Sequence, residues 1–277
     1  MNKHPPLDRD SIEKGAVQAG LPWQVICLDN CQSTNQEALT RVGRNPGLLQ
    51  SGLALFSEWQ DAGRGRRGAR WFSSPSRDLL LSVAFCPPIP PDRWTRLTHA
   101  AALAVCEALR PEFQVTIKWP NDIYLAHAKV AGILVESITP AKTGDPPGIA
   151  VIGIGLNINS TPDDFPGQLA APATSLRMNS QPHIKALPRE LFAISILSSL
   201  YRRILCCVDD FAAIVHELKA TSALLGHRIT LNLPGGKTQS GVVRGFGREG
   251  ELLLHADDAS PDAPLLSIAS ADHVRLS

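Results

Sequence analysis

The chain has 277 residues, 44% of them hydrophobic and 19% charged, with a formal net charge of +1. That length allows one large domain, or a domain of about 200 residues with a small companion, and the composition is a soluble globular mixture able to bury a real core. A near-neutral charge argues against a broadly basic nucleic-acid surface, so any anion binding has to be local.

No run approaches the roughly 20 uninterrupted apolar residues of a membrane span. The stretch MNKHPPLDRDSIEKG holds no signal-peptide apolar segment, so a cytoplasmic location without membrane contact is expected. The six cysteines, at 27, 31, 86, 106, 206 and 207, include no C-x-x-C pair and read as reduced, mostly buried thiols.

In chain order, residues 22–28 (PWQVICL) predict a strand. The Thr34-x-x-Glu37 spacing that follows has the form of a capping box, which starts a helix near Thr34. Residues 53–58 and 79–85 predict two more strands, with an exposed glycine- and arginine-rich loop between them. Trp94, Leu97, Ala101, Val105 and Leu109 recur at helical spacing after Pro91, and Pro111 stops that helix. Strands follow at 115–119, 130–137 and 149–158. A Pro-Asn-Asp turn separates the first two, and a polar hairpin-type connection at 139–148 the last two. Residues 160–188 predict irregular structure, and 189–205 and 209–220 predict helices. Beyond Thr221, four or five glycine-broken strands in about 55 residues suggest a small β-barrel.

The loop QDAGRGRRGARWF carries G-x-G-x-x-G at Gly63, Gly65 and Gly68. A dinucleotide fingerprint needs a helix directly after it, and Ala69 to Pro75 is a poor helix opening. Arg64, Arg66 and Arg67 instead offer planar forks that suit a multiply charged anion, and without one such a loop would repel itself and be mobile. A solvated basic loop is the plainer reading of the same residues. In KWPNDIYLAHAKVAGILVES, Asn121 and Asp122 either satisfy local backbone groups or hold a nucleotide or its Mg2+, while Lys118 and Lys129 supply fixed positive charge. In GIGLNIN the glycines at 153 and 155 serve either ligand approach or tight packing. Ser33, Thr34 and Asn35 at the helix start either cap the helix or bind a polar head group.

Together and in this order, S-T-N, Q-x-A-G-R-G-R-R-G with W-F, K-W-P-N-D with K-x-A-G-I-L-V-E, and G-x-G-x-N resemble the biotin protein ligases, from about Trp23 to Asn159. The resemblance implies an α+β fold: a mixed central β-sheet flanked by helices, class II synthetase-like, followed by a small SH3-like β-barrel. It divides the chain into an N-terminal extension (1–21), a catalytic domain (22–220) and the barrel (221–277). The implied activity is an ATP-dependent ligase with Mg2+, which forms biotinyl-5'-AMP and passes biotin to a lysine of a biotin carboxyl carrier domain. The implied catalytic residues are Arg66, Lys129 and Asp122. Ser33, Thr34, Asn35, Gln60, Arg64, Gly65, Arg66, Lys129, Gly132 and Gly155 would bind biotin, and Trp71, Asn121 and Asn157 the nucleotide, with no protein metal site. The arginine loop becomes a lid over the adenylate.

Ala69 departs from the more basic residue often found there. With about 20 residues ahead of the first strand, too few for a three-helix DNA-binding domain, no operator binding is expected. The resemblance allows a homodimer through sheet edges. A lipoate ligase or octanoyl transferase is the nearest rival reading. A nucleic-acid-binding module is a more distant one, disfavoured by the net charge.

Overall fold

The computed structural model describes residues 4–138, 148–169 and 171–276. Strands β1 (Gln24–Leu28), β2 (Leu53–Ser57), β3 (Leu79–Phe85), β4 (Val115–Lys118), β5 (Asp122–Leu125), β6 (Ala128–Ile138) and β7 (Ile149–Leu156) form one sheet in the order β1-β2-β3-β7-β6-β5-β4. Only β1 and β2 run parallel, so the sheet is mixed. The helices are α1 (Arg9–Gln18), α2 (Thr34–Arg44), α3 (Arg96–Leu109), α4 (Arg189–Asp209) and α5 (Phe211–Thr221).

Because strand side chains alternate between faces, each strand contributes to two different environments. Phe56, Leu81, Val83, Ile152 and Ile154 point to one face and share a core with Leu97 and Leu103 of α3 and Ile196 and Leu200 of α4. On the other face Leu55, Ala84 and Val151 pack against Ala38 and Val42 of α2. Past the N-terminal end of that helix, the same face carries Ser82, Gly132, Gly153 and Gly155, and here the functional cavity opens.

Helix α4 is long and apolar enough to cross a membrane by length and composition alone. Its Phe192, Ile196, Leu197, Leu200 and Ile204 are buried in the main core. Arg202 and Arg203 pair with Glu107 of α3, and Arg203 also with Glu217 of α5. These contacts are those of a core helix. Within residues 1–21, α1 was not anticipated; Asp8 caps it by accepting from Ser11 N–H at 3.2 Å, and Leu7 and Ile12 enter the main core.

Three local expectations need correcting. The helix cap is Ser33, not Thr34, and it makes no side-chain cap bond. Thr34 N–H donates instead to Gln60 Oε1 at 2.7 Å, while Glu37 turns to Arg41, so a tertiary acceptor replaces the local one. The Pro-Asn-Asp turn leads into β5, a strand missed because its hairpin to β6 turns through Ala126 and His127 at φ +49° and +64°, where glycine or asparagine is the usual signal. In the C-terminal region, LLSIASADHVRL, expected as one strand, divides into two, Leu266–Ile268 and His273–Leu276. The expected connection at 139–148 lies, apart from its last residue, outside the described residues.

The C-terminal strands β8 (Arg228–Asn232), β9 (Thr238–Phe246), β10 (Leu252–Ala256), β11 (Leu266–Ile268) and β12 (His273–Leu276) form an antiparallel sheet in the order β11-β10-β9-β8-β12. Its core of Leu224, Ile229, Leu231, Val243, Leu252 and Leu254 also takes in Trp119 from the turn after β4. The Trp119 indole donates to Gly250 O at 3.0 Å. Arg96 of α3 makes bonds of 2.6 and 2.7 Å to Glu249. These contacts fix the second sheet against the first and bring β12 to the rim of the cavity.

Candidate active site

Every residue predicted for the site lines one cavity of about 1120 Å³. Its floor is the glycine-bearing face of β6 and β7, where Gly132 and Gly155 stand in register. The room they leave is filled by protein side chains. A Cβ on Gly155 would lie 2.4 Å from the Trp71 ring, one on Gly153 2.4 Å from Asn35 Oδ1, and one on Gly132 3.0 Å from Trp71 and 3.2 Å from Lys129 Nζ. Packing is therefore why these positions must be glycine, and it seats the Trp71 ring over the floor. The Trp71 indole N–H is buried without a partner.

At one end lies a polar hydrogen-bonding network. Thr34 N–H can only donate, so the Gln60 oxygen that accepts it is identified and Gln60 Nε2 remains a donor. Asn35 Nδ2 donates to Leu134 O at 3.2 Å and Glu136 Oε2 at 2.8 Å. Ser82 Oγ lies 2.7 Å from Thr34 Oγ1 and 2.6 Å from Asn35 Oδ1. Thr34, Asn35, Gln60 and Ser82 are all buried. They form a rigid polar end suited to a small neutral group with both donors and acceptors.

The other end is cationic. Lys129 Nζ lies 2.7 Å from Asp122 Oδ1 and 5.5 Å from the Trp71 ring centroid. Pro172 O accepts from Lys129 N–H, and Lys129 O accepts from Thr174 N–H, so the otherwise irregular segment after 160 pins its backbone. Lys118 reaches the Tyr124 hydroxyl at 3.2 Å; burial holds its pKa below the usual lysine range, with Asp122 opposing and Lys129 reinforcing the shift. Asn121 accepts from Arg66 at 3.3 Å and donates to Ile133 O at 2.9 Å. Asn157 donates to Thr174 O at 3.0 Å. Burial, then the neighbouring Arg67, lower the Arg66 pKa from its ordinary value.

The arginine loop is not splayed by self-repulsion, because each arginine has a separate partner. The loop folds back through Gly65 N–H to Ala69 O (2.7 Å) and Trp71 N–H to Gly63 O (2.8 Å), with a single 3-10 turn at Arg66–Gly68. Arg64 pairs with Glu136 at 3.1 Å, Arg66 bonds Asn121, and Arg67, at φ +55°, pairs with Asp272 beside β12. Among the residues the sequence reading missed, Phe165 and Asp272 line the cavity, and Ser82 and Glu136 bond side chains that do. Ser82 and Glu136 sit in strands read only for apolar periodicity, and Asp272 arrives from the far end of the chain.

A polar end, an aromatic floor and a converging set of cations under a basic loop make a cavity suited to a small polar acid and a polyanion. The sequence profile of the Biotin/lipoate A/B protein ligase family matches residues 28–157. The biotin acetyl-CoA-carboxylase ligase of Mycobacterium tuberculosis is 30% identical over 98% of this chain and 97% of its own length. That of Paracoccus denitrificans is 34% identical over 82% of this chain and 92% of its own. The fold is that of the Aquifex aeolicus biotin protein ligase solved with biotin and ATP (TM-score 0.71, 23% identity, 92% of this chain and 99% of that one). The chain belongs to the biotin/lipoate protein ligase family, on its biotin protein ligase branch.

Proposed function

We propose that this cavity performs both steps of biotin ligation, activating biotin as biotinyl-5'-AMP with ATP and transferring it to a lysine of a biotin carboxyl carrier domain of a carboxylase. The protein is an ATP-dependent biotin ligase. The observation that carries the assignment of the site is the convergence of Arg66, Lys118 and Lys129 on one cavity whose opposite end is lined by the hydrogen-bonded side chains of Thr34, Asn35 and Gln60.

A carboxylate is already a nucleophile, so the first step needs no activated Ser, Cys or His. It needs two anions brought together and the added charge at phosphorus stabilised. Biotin lies with its ureido ring at Ser33, Thr34, Asn35 and Gln60 and its carboxylate at Lys129. Arg64, Gly65 and Arg66 close over the acyl phosphate, Gly132 and Gly155 form the floor, and Trp71, Asn121 and Asn157 face the nucleotide. The carboxylate oxygen attacks the α-phosphorus and pyrophosphate leaves. The lid then shields a mixed anhydride that water would hydrolyse.

In the second step the acceptor amine attacks the acyl carbon and AMP departs. An ammonium near pKa 10.4 must first lose a proton, and Asp122 is the acceptor proposed for it. Asp122→Asn is expected to form the adenylate normally but to slow its transfer to the carrier, and transfer of preformed biotinyl-5'-AMP at the wild-type rate would refute that role.

Among the described residues, no group of three His, Cys, Asp or Glu side chains could hold a metal ion. The two carboxylates lining the cavity, Asp122 and Asp272, each face a cation. Mg2+ entering with ATP would be carried chiefly by its phosphates, as is usual for that ion, and would supply charge neutralisation there. The second sheet is proposed as an SH3-like barrel spanning 221–277, after a catalytic domain of 22–220 and an extension of 1–21. The deciding experiment is ATP- and biotin-dependent labelling of a purified carrier domain, read by intact mass. One added biotinyl group is expected, with Arg66→Ala and Lys129→Ala slowed about a hundredfold or more; no labelling by the wild-type protein would refute the assignment.

A further inference from the structure

The mechanism leaves Glu136 without a part, although one of its oxygens joins two elements of the site. Oε2 lies 2.8 Å from Asn35 Nδ2 and 3.1 Å from the Arg64 guanidinium. Glu136 follows Gly132 and Leu134 on the cavity face of β6. Asn35 is 3% exposed, so its amide has no water to fall back on.

The orientation of that amide is decided by its surroundings. Both Leu134 O and the Glu136 carboxylate accept only, so they claim the two Nδ2 hydrogens. Asn35 Oδ1 is thereby turned toward Ser82 and lies over Gly153, in the space a Cβ there would need. Gln60, oriented by Thr34 N–H, presents a donor at the same end. A fixed acceptor beside a fixed donor complements a cyclic urea, which has N–H and C=O groups side by side. It offers nothing to a dithiolane or a plain alkyl chain.

We propose that Glu136 is a positioning residue for urea selectivity: it locks Asn35 as the acceptor for a ureido N–H and, through the same oxygen, ties the lid to that end of the cavity by way of Arg64. The inference rests on the reading that biotin lies with its ring at Asn35. Glu136→Leu removes both bonds, whereas Glu136→Gln keeps an oxygen for Asn35 and loses only the ionic tie to Arg64. The two functions are therefore separable.

The experiment measures KM for biotin, desthiobiotin and ATP, the use of octanoate, and the formation of AMP without carrier domain, in the full chain. Glu136→Leu is expected to raise KM for biotin and for desthiobiotin, which retains the urea, about tenfold, the loss of one charge-assisted hydrogen bond. KM for ATP and the rate with octanoate should change no more than they do in Glu136→Gln, which shares the loss of the ionic tie to Arg64. Glu136→Gln should leave KM for biotin within about threefold and raise AMP formation as much as Arg64→Leu does, with no further rise when the two are combined. Unchanged KM for biotin in Glu136→Leu, or equal losses with biotin and octanoate, would overturn the inference. So would additive effects of Glu136→Gln and Arg64→Leu. If the wild-type protein failed to use biotin at all, the reading of the site would fall and the inference with it; labelling by the wild type separates the two failures.

Discussion

The two faces of the central sheet are built from alternate residues of the same strands and do opposite work. Along β7, Ile152 and Ile154 are buried among the apolar side chains of the main core, while Gly153 and Gly155, alternating with them, floor the cavity. Burial on the first face is nonspecific in chemistry and demanding in volume. On the second face the fit is made by absent side chains, because each missing Cβ admits a functional group from elsewhere, Asn35 over Gly153 and Trp71 over Gly155. One strand thus supports stability on one side and positioning on the other.

Substitution should separate these two roles. Gly155→Ala puts a methyl group 2.4 Å from the indole of Trp71, and labelling is expected to fall about a hundredfold, since misplacing site groups by about 1 Å costs that much. Its melting temperature should drop by only a few degrees; retained activity would mean Trp71 is free to move. Ile154→Ala, one residue away, should do the reverse. A stability loss of roughly 2–5 kcal/mol is expected in denaturant titration, with kcat near normal at low temperature. Gly132→Ala is a milder probe of the cavity face, because one of its close neighbours is the flexible end of Lys129, at 3.1–3.2 Å; a loss of about tenfold in labelling is expected.

The smallest effect concerns pH on the core face. His99 of α3 lies under Gly250, and burial pushes its pKa down to about 4 from an ordinary 6.5. Between those values the unfolded chain binds a proton that the folded chain refuses, so stability falls as pH drops through that window. Asp78 has the opposite sign. Burial raises its carboxyl to about 6 against the hydrogen bonds from Ser160, Ile158 and Asn159, so the folded chain takes up a proton first and gains stability on acidification. The difference in stability between wild type and His99→Leu, followed by denaturant titration from pH 7 to 4, isolates the histidine. It should narrow or reverse toward pH 4, and a constant difference would show that His99 does not resist protonation.

Much of the site could be read directly from the chain because its residues cluster in short motifs. Within them the reading of individual roles was less complete. Trp119 sits in K-W-P-N-D beside cavity residues, yet its side chain belongs to the core of the second sheet. The hairpin after β5 was hidden because Ala126 and His127 take left-handed φ without the glycine or asparagine that marks such turns. Helix α1 was missed because its buried face amounts to Ile12 and Ala16 in a polar segment.

The sequence by itself determined the mixed sheet-and-helix pattern, the second small sheet, the family and the residues that gather at the cavity, since periodicity and motif spacing are local properties of the chain. Only the tertiary structure decided which atom each of those residues offers. That Asn35 presents an oxygen, that Gln60 presents an amide nitrogen and that the three loop arginines reach Glu136, Asn121 and Asp272 depends on partners from 26 to 205 positions away. Hydrogen-bond direction and charge pairing are set by what stands within about 3 Å, and chain separation carries no record of it.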